Sequence, residues 1–146
     1  MKNIIFLGLV LSLIGCSTAP VASNTAKPVT NERVYNQNYL KKHSPEQAKV
    51  TFLRDKGFLG SGCSHDMYVN NEKVFSIRSN EIATIYLEPK YYIFRLETGG
   101  GMCPNIATSQ ETEVKPDAEI EYRILLPSDF NLRLTRMGFV AQRFKS

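Results

Sequence analysis

Beyond Lys49 the chain breaks into short stretches rich in β-branched and aromatic residues, with turn chemistry recurring about every eight to twelve residues. This rhythm constrains the fold more than any other feature. Val50 to Arg54, Met67 to Val69, Lys73 to Ile77, Ile82 to Leu87, Tyr91 to Thr98, Thr112 to Val114, Ile120 to Leu126 and Leu132 to Met137 all read as strands. Asn70-Asn71 suits a tight hairpin, because asparagine tolerates the positive φ such turns require. Pro89-Lys90 and Pro116-Asp117 mark two further turns. Seven to eight strands with no sustained helical period predict an all-β fold, a small antiparallel β-sandwich. In Ile82 to Leu87 both alternating faces carry apolar residues, so this strand is expected to be central and covered on both sides.

The start of the chain has a different composition. Lys2 gives a positive beginning, Ile4 to Leu13 is almost unbroken apolar sequence, and small or polar residues follow from Gly15. That order defines a secretory signal. About ten apolar residues span only ~15 Å as a helix, half of a bilayer's ~30 Å hydrocarbon core, so the run is too short to be a transmembrane anchor. From Ser17 to about Asn38 the sequence is rich in Ser, Thr, Asn, Ala and Pro, a linker composition. A coil of roughly 25 residues has a span of about 25 to 30 Å. The expected organisation is a signal peptide over 1–15, a modified Cys16 and flexible tether over 16–48, and a β-sandwich domain over 49–146. Ser44-Pro45-Glu46-Gln47 fits either a capped helical turn or an ordinary turn at the domain's edge.

Leu13-Ile14-Gly15-Cys16 resembles the lipobox of bacterial lipoproteins. The resemblance implies cleavage before Cys16, diacylglycerol on its sulfur and an acyl chain on the new amino group. Two or three chains, at ~0.8 kcal/mol per buried methylene, give stable membrane attachment. Ser17 stands where an Asp would signal inner-membrane retention in a Gram-negative host, so the implied address is the outer membrane, facing the periplasm, with exposure at the cell surface as the alternative. Beyond this covalent lipid no cofactor is expected.

Three cysteines are then reduced to a pair, Cys63 and Cys103, in an oxidising compartment. A disulfide is expected, closing a loop of about forty residues and stabilising by roughly 4 kcal/mol in the chain-entropy model. Gly60-Ser61-Gly62 and Gly99-Gly100-Gly101 supply pliant backbone before each cysteine.

No catalytic constellation emerges. Ser64-His65-Asp66 has the letters of a triad, but adjacent residues in a strand alternate faces. Cys63, His65 and Cys103 offer three potential zinc ligands without paired ligand spacing or a fourth donor, so no metal site is assigned. Gly99-Gly100-Gly101 lacks the Lys-Ser/Thr of a phosphate loop. Tyr86, Tyr91, Tyr92 and Phe94 suit core packing, with Tyr91 or Tyr92 the candidates to line a shallow binding site. The net charge of +4 is scattered, without the basic stripe that nucleic-acid binding needs. Leu132 to Arg136 alternates apolar and polar, a half-buried strand with a basic outer face. With Phe139, Arg143, Phe144 and Lys145 it forms either a contact for anionic lipid or glycan or a solvated tail.

Val50 to Leu126 resembles a family of small exported bacterial lipoproteins laid out like the PEGA-type surface modules. The likeness lies in Val50-Thr51-Phe52-Leu53-Arg54, the hairpin from Met67 to Val74, Ile82 to Leu87 with Glu88-Pro89-Lys90-Tyr91-Tyr92-Ile93, and Glu121-Tyr122-Arg123-Ile124. Asn70-Asn71 stands where such modules carry Asp-Gly, and Pro89-Lys90-Tyr91-Tyr92 where they carry Pro-Gly-x-His. The resemblance implies a β-sandwich without enzyme activity and transfers no functional residues. The functional expectation is a non-enzymatic module of the cell envelope binding another protein or a glycan. The alternative is a periplasmic inhibitor of a lysozyme-like hydrolase.

Overall fold

The structure is a computed structural model describing residues 20–57, 62–98, 103–126 and 131–138. The leader, Cys16, Gly60, Ser61, the Gly99-Gly100-Gly101 run and the terminal Phe139, Arg143, Phe144 and Lys145 lie outside these residues.

The described residues form nine strands: β1 Lys27–Pro28, β2 Ala48–Arg54, β3 His65–Val69, β4 Glu72–Ile77, β5 Glu81–Leu87, β6 Tyr91–Thr98, β7 Ala107–Glu113, β8 Glu119–Leu125 and β9 Arg133–Arg136. They build a five-stranded sheet in the order β1-β5-β2-β8-β9 and a four-stranded sheet in the order β4-β3-β6-β7. The expected β-sandwich and all eight expected strands are present. β7 begins five residues before the predicted Thr112, because Ala107 to Glu111 is a polar edge that carries no hydrophobic alternation. The pairing is also not purely antiparallel. β2 runs parallel to β8, and β1 parallel to β5. β2, not β5, is the middle strand of the five.

Alternation in β2 sets the core. Ala48, Val50 and Phe52 are fully buried, while Lys49 and Thr51 face outward. Phe52 is opposed in its own sheet by the small Ala83 and by Tyr122. Its ring stacks on Tyr122 (5.5 Å, 12°), meets Phe94 edge-on (5.3 Å, 90°) and tilts against Phe75 (5.6 Å, 56°). One side chain from the five-stranded sheet therefore touches rings from both layers, and such pairs add about 0.5–1.5 kcal/mol each beyond area burial. The Tyr122 hydroxyl meets Thr112 Oγ1 across the layers at 2.5 Å, and burial raises its pKa.

The β3–β4 hairpin forms for the local reason expected. Asn70 and Asn71 have φ of 49° and 69°, the double left-handed turn that follows strand twist. The Asn70 side chain also accepts the Ile93 N–H at 2.9 Å, tying the hairpin tip to β6. The Pro116-Asp117 turn places Asp117 at φ 49°, and it crosses from β7 in one sheet to β8 in the other.

The segment expected to be a flexible tether is corrected from residue 20 onward, because it is packed on the sandwich. Val21 is buried, and β1 pairs with β5. A 3₁₀ turn over Asn31–Arg33 follows, Val34 bridges to Phe75, and the Tyr35 N–H reaches Val74 O at 2.8 Å. Arg33 binds Glu81 through both guanidinium nitrogens, at 2.7 and 2.5 Å. A second 3₁₀ turn, Gln37–Leu40, sets Tyr39 and Leu40 against the core. The strap thus closes the side of the sandwich between β5 and β4. Its apolar residues are too sparse for a periodic signal, but each covers one place on that open side. Ser44 to Gln47 is a turn, with Gln47 Oε1 accepting the N–H groups of His43 and Ser44 at 2.5 and 3.3 Å.

Candidate functional site

Three places carry chemistry. The first is buried at the end of the sandwich where β2 and β8 finish. The expected Cys63–Cys103 disulfide is present, with Cα atoms 5.8 Å apart and a sequence separation of 40. Arg54 is buried beside it and donates to Cys63 O at 2.5 Å and Ile77 O at 3.1 Å. Burial lowers the Arg54 pKa to about 10, partly opposed by Glu81, which leaves it a cation at neutral pH. His65 is fully buried, and neither ring nitrogen has a hydrogen-bond partner. Burial first and the Arg54 charge second pull its pKa down to about 3, against a small opposing effect of Asp66, so the ring is neutral.

Ser64, His65 and Asp66 do not converge. His65 points into the core, while Asp66 is half-buried and binds Lys73 Nζ at 2.7 Å and the Ser76 hydroxyl. The sulfurs that zinc would need are bonded to each other. Among the described residues no group of three or more His, Cys, Asp or Glu side chains could hold a metal.

The second place is the outer face of the five-stranded sheet. Register puts Leu53 on this face, between Ile82 and Arg123, yet Leu53 is fully buried. The cover is the chain's own segment from Val21. Asp55 Oδ1 accepts the Val21 N–H at 2.9 Å, Arg123 donates to Val21 O at 3.1 Å, and Arg123 pairs with Asp55 at 2.6 Å. Both backbone hydrogen-bonding groups of one residue are thereby held, in a clamp whose acid is almost fully buried. Beyond the clamp the face opens into a groove of about 1040 Å³. Lys49, Thr51, Thr84, Glu119 and Glu121 line it, with the two threonine hydroxyls 3.3 Å apart. Its lining combines apolar surface, from residues such as Ile82 and Met137, with charges of both signs.

The third place is the outer face of the four-stranded sheet, along β6. Tyr91 is 64% exposed and Ile93 50%. They stand in one row with Arg95 and Glu97, opposite Glu113, Glu111, Ser109 and Ala107 of β7. Arg95 lies 4.1 Å over the Tyr68 ring and pairs with Glu97. Lys73 lies 4.4 Å over the Tyr35 ring, and the Tyr35 hydroxyl meets Ser76 Oγ at 3.0 Å. The result is a flat surface of alternating tyrosines and cations with Tyr91 and Ile93 bare at one end.

Of the two tyrosines expected to line a site, only Tyr91 presents to solvent. Tyr92 points inward, stacks with Phe94 (6.4 Å, 9°) and carries Lys90 at 5.1 Å over its ring. Burial raises the Tyr92 pKa. Ile93, Tyr68, Arg95 and Tyr35 were not anticipated. A signal for Ile93 was available, since it shares its alternating face with Arg95 and Glu97. β9 matches its reading, with Leu132 buried, Leu134 half-buried and Arg133, Thr135 and Arg136 exposed.

No family model and no curated protein matches this sequence. The functional reading therefore stands on surface geometry.

Proposed function

We propose that this protein is an envelope lipoprotein, held to a membrane by lipid on Cys16, whose β-sandwich is a non-enzymatic module binding a protein partner through the outer face of the four-stranded sheet. The observation that carries the reading is the exposure of Tyr91 and Ile93, side by side, on a rigid sheet whose other outer face is partly covered by the chain itself. Tyrosine and arginine are the residues that interface cores favour, and Tyr91, Tyr68 and Arg95 share this surface.

Protein is favoured over glycan by what already covers the rings. A flat saccharide-stacking platform needs several bare aromatic faces, but Arg95 occupies Tyr68 and Lys73 occupies Tyr35. Among the described residues of this face, Tyr91 is the ring that carries no cation, and Tyr35 is half exposed with Lys73 over it. The paired charges, Arg95 with Glu97 and Lys73 with Asp66, suit the polar rim of a protein contact.

The test compares the lipidated full chain with its Tyr91→Ala/Ile93→Asp variant in affinity capture from detergent-solubilised envelopes. A protein retained by the parent and lost with the variant, at unchanged circular dichroism and melting temperature, is the expected result. Equal capture by both chains, or retention of glycan in place of protein, would overturn the reading.

A further inference from the structure

Three exposed cations gather at the end of the sandwich where β2 finishes. Two bonds join the loop after β4 to the residues after β2: Asn80 N–H to Arg54 O at 3.0 Å and the Ser79 hydroxyl to Asp55 O at 3.4 Å. Asn80 O also accepts the Lys27 N–H at 3.0 Å. These bonds bring Lys27, Lys56 and Arg78, all exposed, around one turn. The neighbouring carboxylates are already engaged, Asp55 by Arg123 and Glu81 by Arg33. Lys27, Lys56 and Arg78 form no ion pair among the described residues. Among the described residues this end therefore carries surplus positive charge.

The Val21 clamp bears on the same end, since Asp55 directly follows β2 and precedes Lys56. Four residues lie between Cys16 and Val21, and the five steps from one to the other span at most about 18 Å when fully extended. A flexible tether running to residue 48 would allow a longer span and every orientation. With Val21 fixed, the position of Cys16 is restricted to the neighbourhood of the cationic end. The opposite end, at the far side of seven-residue strands, lies roughly 24 Å away. That exceeds the ~8–10 Å over which charge attraction to a bilayer persists at physiological salt.

We propose that Lys27, Lys56 and Arg78 form a membrane-proximal face, docked on anionic phospholipid headgroups beside the lipidated Cys16. The sandwich is then held end-on against the bilayer on a short leash. This inference rests on the reading of Cys16 as the lipid anchor, and its test separates the two.

The lipidated full chain is reconstituted into phosphatidylglycerol-containing vesicles that carry a headgroup-attached quencher. A fluorophore is placed on Ser79→Cys, at the cationic end, or on Lys115→Cys, at the opposite end. Cys63 and Cys103 are bonded to each other and do not compete for the label. The expected result is quenching of the Ser79 label about twofold or more stronger than that of the Lys115 label. That contrast should shrink in the Lys27→Glu/Lys56→Glu/Arg78→Glu variant and in vesicles of phosphatidylcholine alone. Equal quenching of both labels on vesicle-bound chain would overturn the docked orientation while leaving the anchor intact. Chain that does not bind vesicles and carries an unmodified Cys16 by intact mass would overturn the anchor, and the orientation with it.

Discussion

On the five-stranded sheet the outward-facing Leu53 is fully buried where the segment from Val21 crosses, whereas on the four-stranded sheet the outward-facing Ile93 stands half exposed. Both faces are built by the same period-2 alternation, and both carry an apolar residue where a polar one would suffice. The difference lies in what the chain supplies to cover them. Over Leu53 it supplies Val21, whose backbone is held at both its N–H and its C=O, by Asp55 and Arg123. Beside Ile93 it supplies charged residues that pair with one another and leave the apolar spot open. An outward apolar residue is therefore evidence of a missing partner only after the protein's own segments have been placed.

The largest effect should strike both faces alike. Replacing Cys63 and Cys103 with alanine releases a loop of 40 residues and should cost about 4 kcal/mol, read from denaturant unfolding. Loss of one sheet's hydrogen-exchange protection without the other's would show that the layers are less coupled than the Phe52 ring contacts imply.

Acid should act on the shared interior with an effect of comparable size. His65 has an ordinary pKa of 6.5 and a folded value of about 3, so between those limits the unfolded chain binds more protons. Stability should then fall with decreasing pH, by up to about 1.4 kcal/mol per unit, and be undiminished by this group above about pH 7. His65→Leu removes a buried imidazole without partners. It should flatten this acid limb while leaving stability at pH 7 equal or higher.

The covered face should answer to its clamp. Asp55→Ala leaves the Val21 N–H and the Arg123 guanidinium without their carboxylate and should cost about 2–3 kcal/mol. Exchange protection should be lost first over Val21 to Val29. Uniform loss across the molecule would mean that the strap and the sandwich unfold as one unit.

A smaller effect belongs to the strap's second attachment. Burial alone would raise the Glu81 pKa, but hydrogen bonds from Arg33 and from the Arg78 N–H outweigh it and hold the carboxyl below its ordinary 4.5. The contribution is complete at pH above 4.5 and is lost as pH falls through the lower folded value. Glu81→Gln should cost about 1 kcal/mol at pH 7 and almost nothing in strong acid. The smallest effect falls on the bare face. Tyr91→Ala should change stability by less than about 0.5 kcal/mol while reducing partner capture.

Much of this fold could be read from local chemistry. The Asn70-Asn71 turn, the eight strand segments and the Cys63–Cys103 pair each follow from residues close in sequence or from an even cysteine count. The parallel β2–β8 pairing could not be read, because it joins segments far apart and leaves no mark on either strand's alternation. The strap escaped for a different reason. Val21, Val29, Val34, Tyr39 and Leu40 are single apolar residues in polar surroundings, and only the finished sheets give each a place to bury. Tyr91 and Tyr92 both looked available, because Tyr91 to Phe94 is apolar on both faces and burial had to choose between them. The charged Arg95 and Glu97 mark the outward row, which places Tyr92 and Phe94 inside.

The most direct test of the contrast between the faces is photo-crosslinking in living cells, with a photoreactive residue at Ile93 on the bare sheet or at Thr84 in the groove of the partly covered one. A discrete protein adduct is expected from position 93, and no such adduct from position 84. A protein adduct from 84 with none from 93 would contradict it.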